Sequence, residues 1–257
     1  MTISPNPARR LAEAEKRELP KRFYKSADMA EVAGDDGGEA MFGLTLDGRP
    51  ARTPAKNPLA VPSRGVAQAL ANEWDAQVDV IDPARMPFTK LANTIIDGII
   101  GREQLVRDEI AAYAGSDVLC YRAAHPAGLV QMQKTAWDPI LDWLAEAHDV
   151  RFVIQTGVMP VDQPAAALAA FGRAVAEHDA HALGALHVMM TLSGSAGLTL
   201  AIAAERISRD EAWRAAHVDE DWQISQWGRD EEADARRALR KAEFDAAADY
   251  LALHRGG

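Results

Sequence analysis

Hydrophobic residues change their spacing near Ser63, and the change divides the chain into two regions. Before it, residues 41–46 alternate as a strand does, and Asp47-Gly48 supplies the positive φ angles that a tight hairpin turn needs. We expect Phe23-Tyr24 to start another short strand and the glycines of residues 34–38 to form a flexible turn. Prolines confine a segment to sheet edges and turns, and they stand at positions 50, 54, 58 and 62. The pattern predicts a small, mainly antiparallel sheet.

After Ser63 the hydrophobic residues recur with the period of an α-helix. Ser63 can cap a first helix whose apolar stripe is Val66, Leu70 and Trp74. A capping box formed by Ser208 and Glu211 starts a late helix that is expected to run unbroken to residue 228. Between and beyond them the pattern predicts helices from residues 87 and 105 and over about 129–147, 164–180, 183–205 and 230–253, with one short strand at 151–158.

These elements together predict an α+β fold. A small N-terminal, mainly antiparallel β domain is followed by an orthogonal α-helical bundle domain. We place an N-terminal arm at residues 1–19, the β domain at 20–62 and the helical domain at 63–257.

Composition narrows the range of partners. The formal net charge of the 257 residues is -10, and an acidic chain repels nucleic acid and anionic membranes. No apolar run approaches the ~18 residues that a membrane span needs. The N-terminal arm mixes arginines with glutamates, unlike an import peptide, and the single cysteine fits a reducing compartment. We expect a cytoplasmic bacterial protein that is monomeric.

No catalytic motif is found. His178 and His181 share a helical face, but a third metal ligand with suitable spacing is missing, so surface or capping histidines are the favoured interpretation. The run from Ser193 to Gly197 lacks the glycine of a nucleophile elbow and lies in a predicted helix. Cys120 lies in an apolar stretch and is expected to be a buried structural thiol. We therefore expect no cofactor, no metal and no enzyme activity.

Tryptophan and acidic residues concentrate near the C-terminus. Residues 209–234 include nine acidic residues and three arginines. Trp213 and Trp227 are 14 residues apart and would share a face of one helix, with Trp222 on the opposite face. If only one of these faces packs inward, the other places an aromatic side chain beside an acidic patch, as protein-binding surfaces do. Packing of all three tryptophans in the core is the favoured interpretation.

Five sequence runs occur in an order that resembles one family. They are DGRPARTPAKNPLAVPS (47–63), NEWDAQ (72–77), MPFTKLANTIIDG (86–98), SDVLCYRA (116–123) and WQISQWG (222–228). The family is the assembly chaperones of the ATP synthase catalytic head, and the resemblance is to the member that serves the α subunit, found in mitochondria and related bacteria. It implies a cofactor-free chaperone that shields the β-contacting surface of the unassembled α subunit until the β subunit replaces it.

The resemblance also implies a set of partner-binding residues. They are Glu73, Trp74, Asp75, Lys90, Asn93, Asp97, Asp117, Tyr121, Glu220, Gln223, Trp227 and Gly228. For three of them there is a strong case for a structural role instead: a core anchor for Trp74, a buried hydrogen-bonding amide for Asn93 and a helix cap for Gly228. Two other classes stay open, an enzyme that uses the groove between the two domains and a permanent subunit of a complex.

Overall fold

The computed structural model describes residues 19–32, 40–157 and 159–256. Most of the N-terminal arm and the turn expected at 34–38 lie outside these residues. Within them, strands precede a series of ten α-helices, so the predicted α+β class is confirmed. The boundary between a β domain and a helical domain after residue 62 stays a prediction.

The N-terminal sheet is antiparallel and is built around its second strand. Its strands are β1 (Ala27–Val32), β2 (Met41–Leu46), β3 (Arg49–Pro50) and β4 (Ala60–Val61). β2 pairs with all three others, and Ala27 lies opposite Leu46 in the β1–β2 register. Asp47 and Gly48 adopt φ angles of 49° and 75°, which confirms the predicted hairpin turn.

The prediction that a strand starts at Phe23-Tyr24 is wrong, because β1 begins only at Ala27. The chain before β1 is held elsewhere: Lys21 forms an isolated bridge with Val80. Tyr24 is buried and its hydroxyl donates to the backbone oxygen of Trp74 at 2.6 Å. A tyrosine anchored on a helix in this way gives the same apolar signal as a strand residue.

The helical part begins at Ser63, whose hydroxyl accepts from the backbone N–H of Val66 as predicted. Its helices are α1 (Arg64–Asp75), α2 (Pro87–Thr94), α3 (Glu103–Tyr113), α4 (Ala127–His148), α5 (Ala165–Ala176), α6 (Ala180–Ser193), α7 (Ala196–Ala203), α8 (Arg209–Ala216), α9 (Val218–Trp227) and α10 (Glu231–Arg255). A π-helical turn, Ile95–Ile99, continues α2.

Two helices that were expected to be continuous are each broken in two. The helix over 183–205 ends at Gly194, which has φ 73°, and restarts with Ser195 as the N-cap of α7. The helix from Ser208 stops at His217, whose backbone leaves the helical region with φ -115°. The capping box at Ser208 and the helix end at Gly228 are both confirmed.

A second sheet consists of two strands of two residues each. β5 (Tyr121–Arg122) pairs with β6 (Gln155–Thr156) in parallel. Of the strand predicted at 151–158, only Gln155–Thr156 is a strand in the structure, and residues 151–154 are not. Its partner strand β5 was not foreseen.

One continuous core joins the sheet and the helices. α1 packs against β1 and β2, and α10 packs along α6 and across α2. The largest fully buried side chains include Trp137, Phe171, Phe244 and Tyr250. The helix α9 packs against α4.

Candidate partner-binding site

A groove opens where α9 turns back into α10. Gly228 makes the turn with φ 86°, and the Asp230 carboxylate caps α10 by accepting from the backbone N–H of Ala233 at 2.7 Å. The cavity has a volume of about 480 Å³. We call it the α9–α10 groove; it is lined by Glu220, Gln223, Ile224, Trp227, Gly228, Asp230, Ala233, Asp234, Arg236, Arg237 and Arg240.

Trp227 is the most exposed large hydrophobic residue of the part that the structure describes, with 80% of its surface accessible. Isolated exposed aliphatic side chains are common, but a tryptophan on the surface leaves a large apolar area in water. Its neighbour in the groove, Gln223, is also exposed. The groove therefore offers the combination of aromatic area and hydrogen-bonding groups that protein interfaces use.

Charges on the two walls of the groove are paired across it. Arg237 of α10 contacts Asp221 at 2.6 Å and Glu220 at 3.7 Å. Glu220 remains 49% exposed, and its longer contact is weaker. The guanidinium of Arg240 donates to the backbone oxygen of Leu192 at 2.6 Å. The walls are thus held in place, while Glu220 keeps an accessible carboxylate beside Trp227.

The expectation that Trp213 and Trp227 share a face is wrong, because the chain breaks at His217 between them. Trp213 is buried, with ring centroids 3.9 Å from His217 and 5.2 Å from Phe244. Trp222 is partly buried and lies over Gly128, where an added Cβ would come within 2.6 Å of the indole. Of these three tryptophans, only Trp227 is fully presented to solvent.

Glu73 and Trp74 support the start of α2. The Glu73 carboxylate accepts from the backbone N–H groups of Phe88 and Thr89 at 2.7 and 2.8 Å. Burial raises the pKa of Glu73, although these hydrogen bonds favour its charged form. The Trp74 indole donates to the Thr89 hydroxyl at 3.1 Å. Asp75 is exposed and pairs with Arg22 at 3.1 Å.

Three predicted residues lie on α2 and its π-helical continuation. Lys90 forms an ion pair with Glu243 of α10. Asp97 accepts from Thr53, Asn57 and the backbone of Ala55, and these hydrogen bonds, that from Thr53 first, hold its pKa below the usual range. The side-chain oxygen of Asn93 is buried and has no partner among the described residues, so the expected hydrogen-bonded amide is not found there.

Asp117 is fully buried between two helix starts. It accepts from the backbone N–H groups of Leu119 at 3.0 Å and Gly197 at 2.8 Å, and burial raises its pKa. Tyr121 is partly buried in β5. Of the twelve predicted residues, the structure brings four together at the α9–α10 groove, Glu220, Gln223, Trp227 and Gly228, and places the other eight elsewhere.

Arg236, Arg237 and Arg240 also line the groove and were missed. They fall within one and a half turns of α10, a spacing that marks one helix face. This cluster of arginines in the sequence could have indicated that α10 contributes to the groove.

The residues weighed for chemistry are engaged in the fold. His181 is buried, with its Nδ1 2.7 Å from the Tyr250 hydroxyl, so the surface or capping interpretation is wrong for it. Burial raises the pKa of Cys120 to about 12, as expected of a structural thiol. Among the described residues, no group of three or more His, Cys, Asp or Glu side chains is arranged to hold a metal. No helix in the same residues has the length and hydropathy to cross a membrane.

Comparison with known proteins gives a consistent class. The chain is similar to the Atu1473 protein of Agrobacterium tumefaciens, a candidate chaperone, with 46% identity, a TM-score of 0.85 and coverage of 96% of this chain and 91% of that one. It is similar to Atp12 from Paracoccus denitrificans, with 38% identity, a TM-score of 0.83 and coverage of 92% and 99%. A point mutant of the Paracoccus protein matches with a TM-score of 0.82, 38% identity and coverage of 92% and 98%.

The fold and these relatives define a chaperone. Residues 21–145 match the family model described as ATP12 chaperone protein. The chain therefore belongs to the ATP12 chaperone family.

Proposed function

We propose that the chain binds the unassembled α subunit of the ATP synthase catalytic head and shields its β-contacting surface until the β subunit replaces it. The observation that supports this client-binding role most directly is the exposed Trp227 beside Glu220 in the α9–α10 groove. In this proposal the protein acts as a cytoplasmic monomer and needs no cofactor.

The physical need for such a protein follows from the assembly itself. A subunit made before its neighbours exposes apolar interfaces, and exposed apolar surface leads to aggregation. A chaperone that is later displaced must bind its client with only moderate affinity. An aromatic contact supplies area, and charges around it speed the encounter, so the α9–α10 groove suits this task.

Two of the other eight predicted residues, Lys90 and Glu73, fit this proposal as supports of the groove. Lys90 attaches α2 to α10 through Glu243, and Glu73 caps α2. Their loss would act through the position of α10, which forms one wall of the groove.

Replacing Trp227 tests the proposal directly. Because the indole is 80% exposed, Trp227→Ala should leave the thermal melt unchanged. Truncating an interface tryptophan costs about 2 kcal/mol or more, so binding to isolated α subunit should weaken by roughly 30-fold or more. The measurement is a dissociation constant by titration, beside suppression of α-subunit aggregation.

Leu105→Ala is the matched control, since Leu105 is another exposed apolar residue, 59% accessible, on α3 and away from the groove. It should bind as the wild type does. Equal affinity of Trp227→Ala and wild type would exclude the α9–α10 groove, and failure of the wild-type protein to bind α subunit would refute the proposed client.

A further inference from the structure

A second groove lies beside the β2–β3 hairpin. We call it the hairpin groove; it has a volume of about 600 Å³ and is lined by Phe23, Tyr24, Leu46, Asp47, Arg49, Pro50, Ala51, Arg52 and Trp74. Phe23 is 72% exposed and packs edge-on against Tyr24, with ring centroids 5.4 Å apart. An aromatic side chain is therefore presented to solvent here as well.

The charge around the hairpin groove is opposite to that of the chain. Residues 21–25 and 46–56 carry six cationic side chains and one carboxylate, and two further carboxylates, Asp75 and Asp97, contact them, in a protein whose formal net charge is -10. All three carboxylates are already engaged: Asp47 accepts from the backbone N–H groups of Lys25 and Ser26 at 2.9 Å each, Asp75 pairs with Arg22, and Asp97 accepts from Thr53 and Asn57. With six cations against three carboxylates, the surface is a local cationic patch.

Two of the arginines have no carboxylate partner among the residues that the structure describes. Arg22 is largely buried and pairs with Asp75, so its charge is used within the fold. Arg49 is exposed and makes no side-chain hydrogen bond or ion pair with any residue that the structure describes. Arg52 donates to the backbone oxygen of Lys56 at 2.8 Å and forms no ion pair in the same residues. Both guanidinium groups can donate two parallel hydrogen bonds to one carboxylate.

The hairpin groove is also held rigidly. The Ala51 N–H donates to the Leu44 oxygen at 2.8 Å, and Arg52 forms a bridge with Pro58. Asp97 fixes the following loop through Thr53 at 2.6 Å and Asn57 at 2.9 Å. A surface that is ordered in advance loses less entropy on binding.

We propose that the hairpin groove is a second docking surface of the chaperone and takes an acidic segment of the client. The segment offers carboxylates to Arg49 and Arg52 and an apolar side chain to Phe23. The identity of the client as the α subunit rests on the proposed function. Charge disfavours the chain's own N-terminal arm as the occupant, because residues 1–18 carry four cations against three acids.

The test is the affinity of the full-length protein for isolated α subunit, measured at low and at high salt. Arg49→Glu combined with Arg52→Glu should weaken binding about tenfold or more at low salt. The loss should shrink as salt screens the charges, and the thermal melt should stay at the wild-type value. The control is Lys134→Glu with Arg173→Glu, which changes the net charge equally at two exposed residues of α4 and α5.

The outcomes separate this inference from the proposed function. If Trp227→Ala loses binding while the arginine pair variant binds like the charge-matched control, the hairpin groove is not a docking surface and the proposed function stands. If wild type does not bind α subunit, the proposed function fails and takes this inference with it. If removing residues 1–18 abolishes the effect of the arginine pair, the arm is the occupant and the inference is overturned.

Discussion

Reversing the charge of Glu220 separates binding from folding at the α9–α10 groove. The Glu220 carboxylate is 49% exposed and lies 3.7 Å from Arg237, which also contacts Asp221 at 2.6 Å. In Glu220→Lys the shorter contact to Asp221 remains. The fold loses one long, solvated ion pair and gains a repulsion between two cations that water screens.

The expected cost to stability is small. Exposed ion pairs contribute about 0.2–1 kcal/mol. For a chain of this size, a change of 1 kcal/mol in the free energy of unfolding moves the melting temperature by about 2–4 °C. We therefore expect Glu220→Lys to lower the melting temperature by no more than about 4 °C.

The expected cost to binding is larger. Truncating one partner of a charge pair that is desolvated in a complex costs about 2–5 kcal/mol, and 2 kcal/mol corresponds to roughly a 30-fold loss of affinity. The assay is titration with isolated α subunit, run beside a thermal melt. Glu109→Lys is the matched control, because Glu109 is 54% exposed and has a comparable contact of 3.5 Å to His187.

Two results would contradict this reasoning. Wild-type affinity of Glu220→Lys would show that its carboxylate does not meet the client. A melting temperature lowered by much more than 4 °C, with the Glu109 variant unaffected, would make Glu220 a structural residue whose pair with Arg237 holds α9 on α10.

Two further predictions concern the fold. Trp74→Arg should lower the free energy of unfolding by about 3 kcal/mol in urea titration, since the indole packs against Tyr24 with ring centroids 5.6 Å apart and the arginine would place a charge there; a wild-type urea midpoint with lost binding would instead make Trp74 a contact residue. Burial, followed by the charge of His254, lowers the pKa of His181 to about 4. Between about pH 6.5 and 4 the unfolded chain then binds a proton that the folded chain does not, so stability falls as the pH falls, by up to about 3 kcal/mol. His181→Gln should lose less stability than wild type between pH 7.5 and pH 4.5 in urea titrations, and equal losses would exclude His181 as the source.

Elements that depend on local signals could be predicted from the sequence. The hairpin turn at Asp47-Gly48, the cap at Ser63 and the capping box at Ser208 each satisfy their own backbone groups within a few residues. The break at Gly194 also has a local signal that was not used, because Gly194 ends one helix in the left-handed region and Ser195 caps the next. The break at His217 depends on tertiary packing: the His217 ring packs against Trp213, and its Nδ1 lies 2.8 Å from the Trp213 backbone oxygen.

The candidate site was predictable only in part, for a related reason. Motif runs mark residues that matter, but they do not distinguish a residue that supports the fold from one that meets a partner. Asp117 and Glu73 sit in such runs and are engaged by backbone N–H groups. The contribution of Arg237 depends on how α10 folds back beside α9, which no short motif encodes.

The two proposed surfaces together would explain how the chaperone can both hold and release its client. Two weak contacts on one rigid body reinforce each other, because the second binds at the high effective concentration set by the first, and the combined affinity can exceed either by about 10²–10⁴-fold. The α9–α10 groove offers the Trp227 indole and the Glu220 carboxylate, and the hairpin groove offers a cationic contact. A β subunit that competes for only one of them would return the complex to the affinity of the other. Displacement would then proceed by competition alone, and a single-surface variant should be displaced at lower β-subunit concentration than wild type.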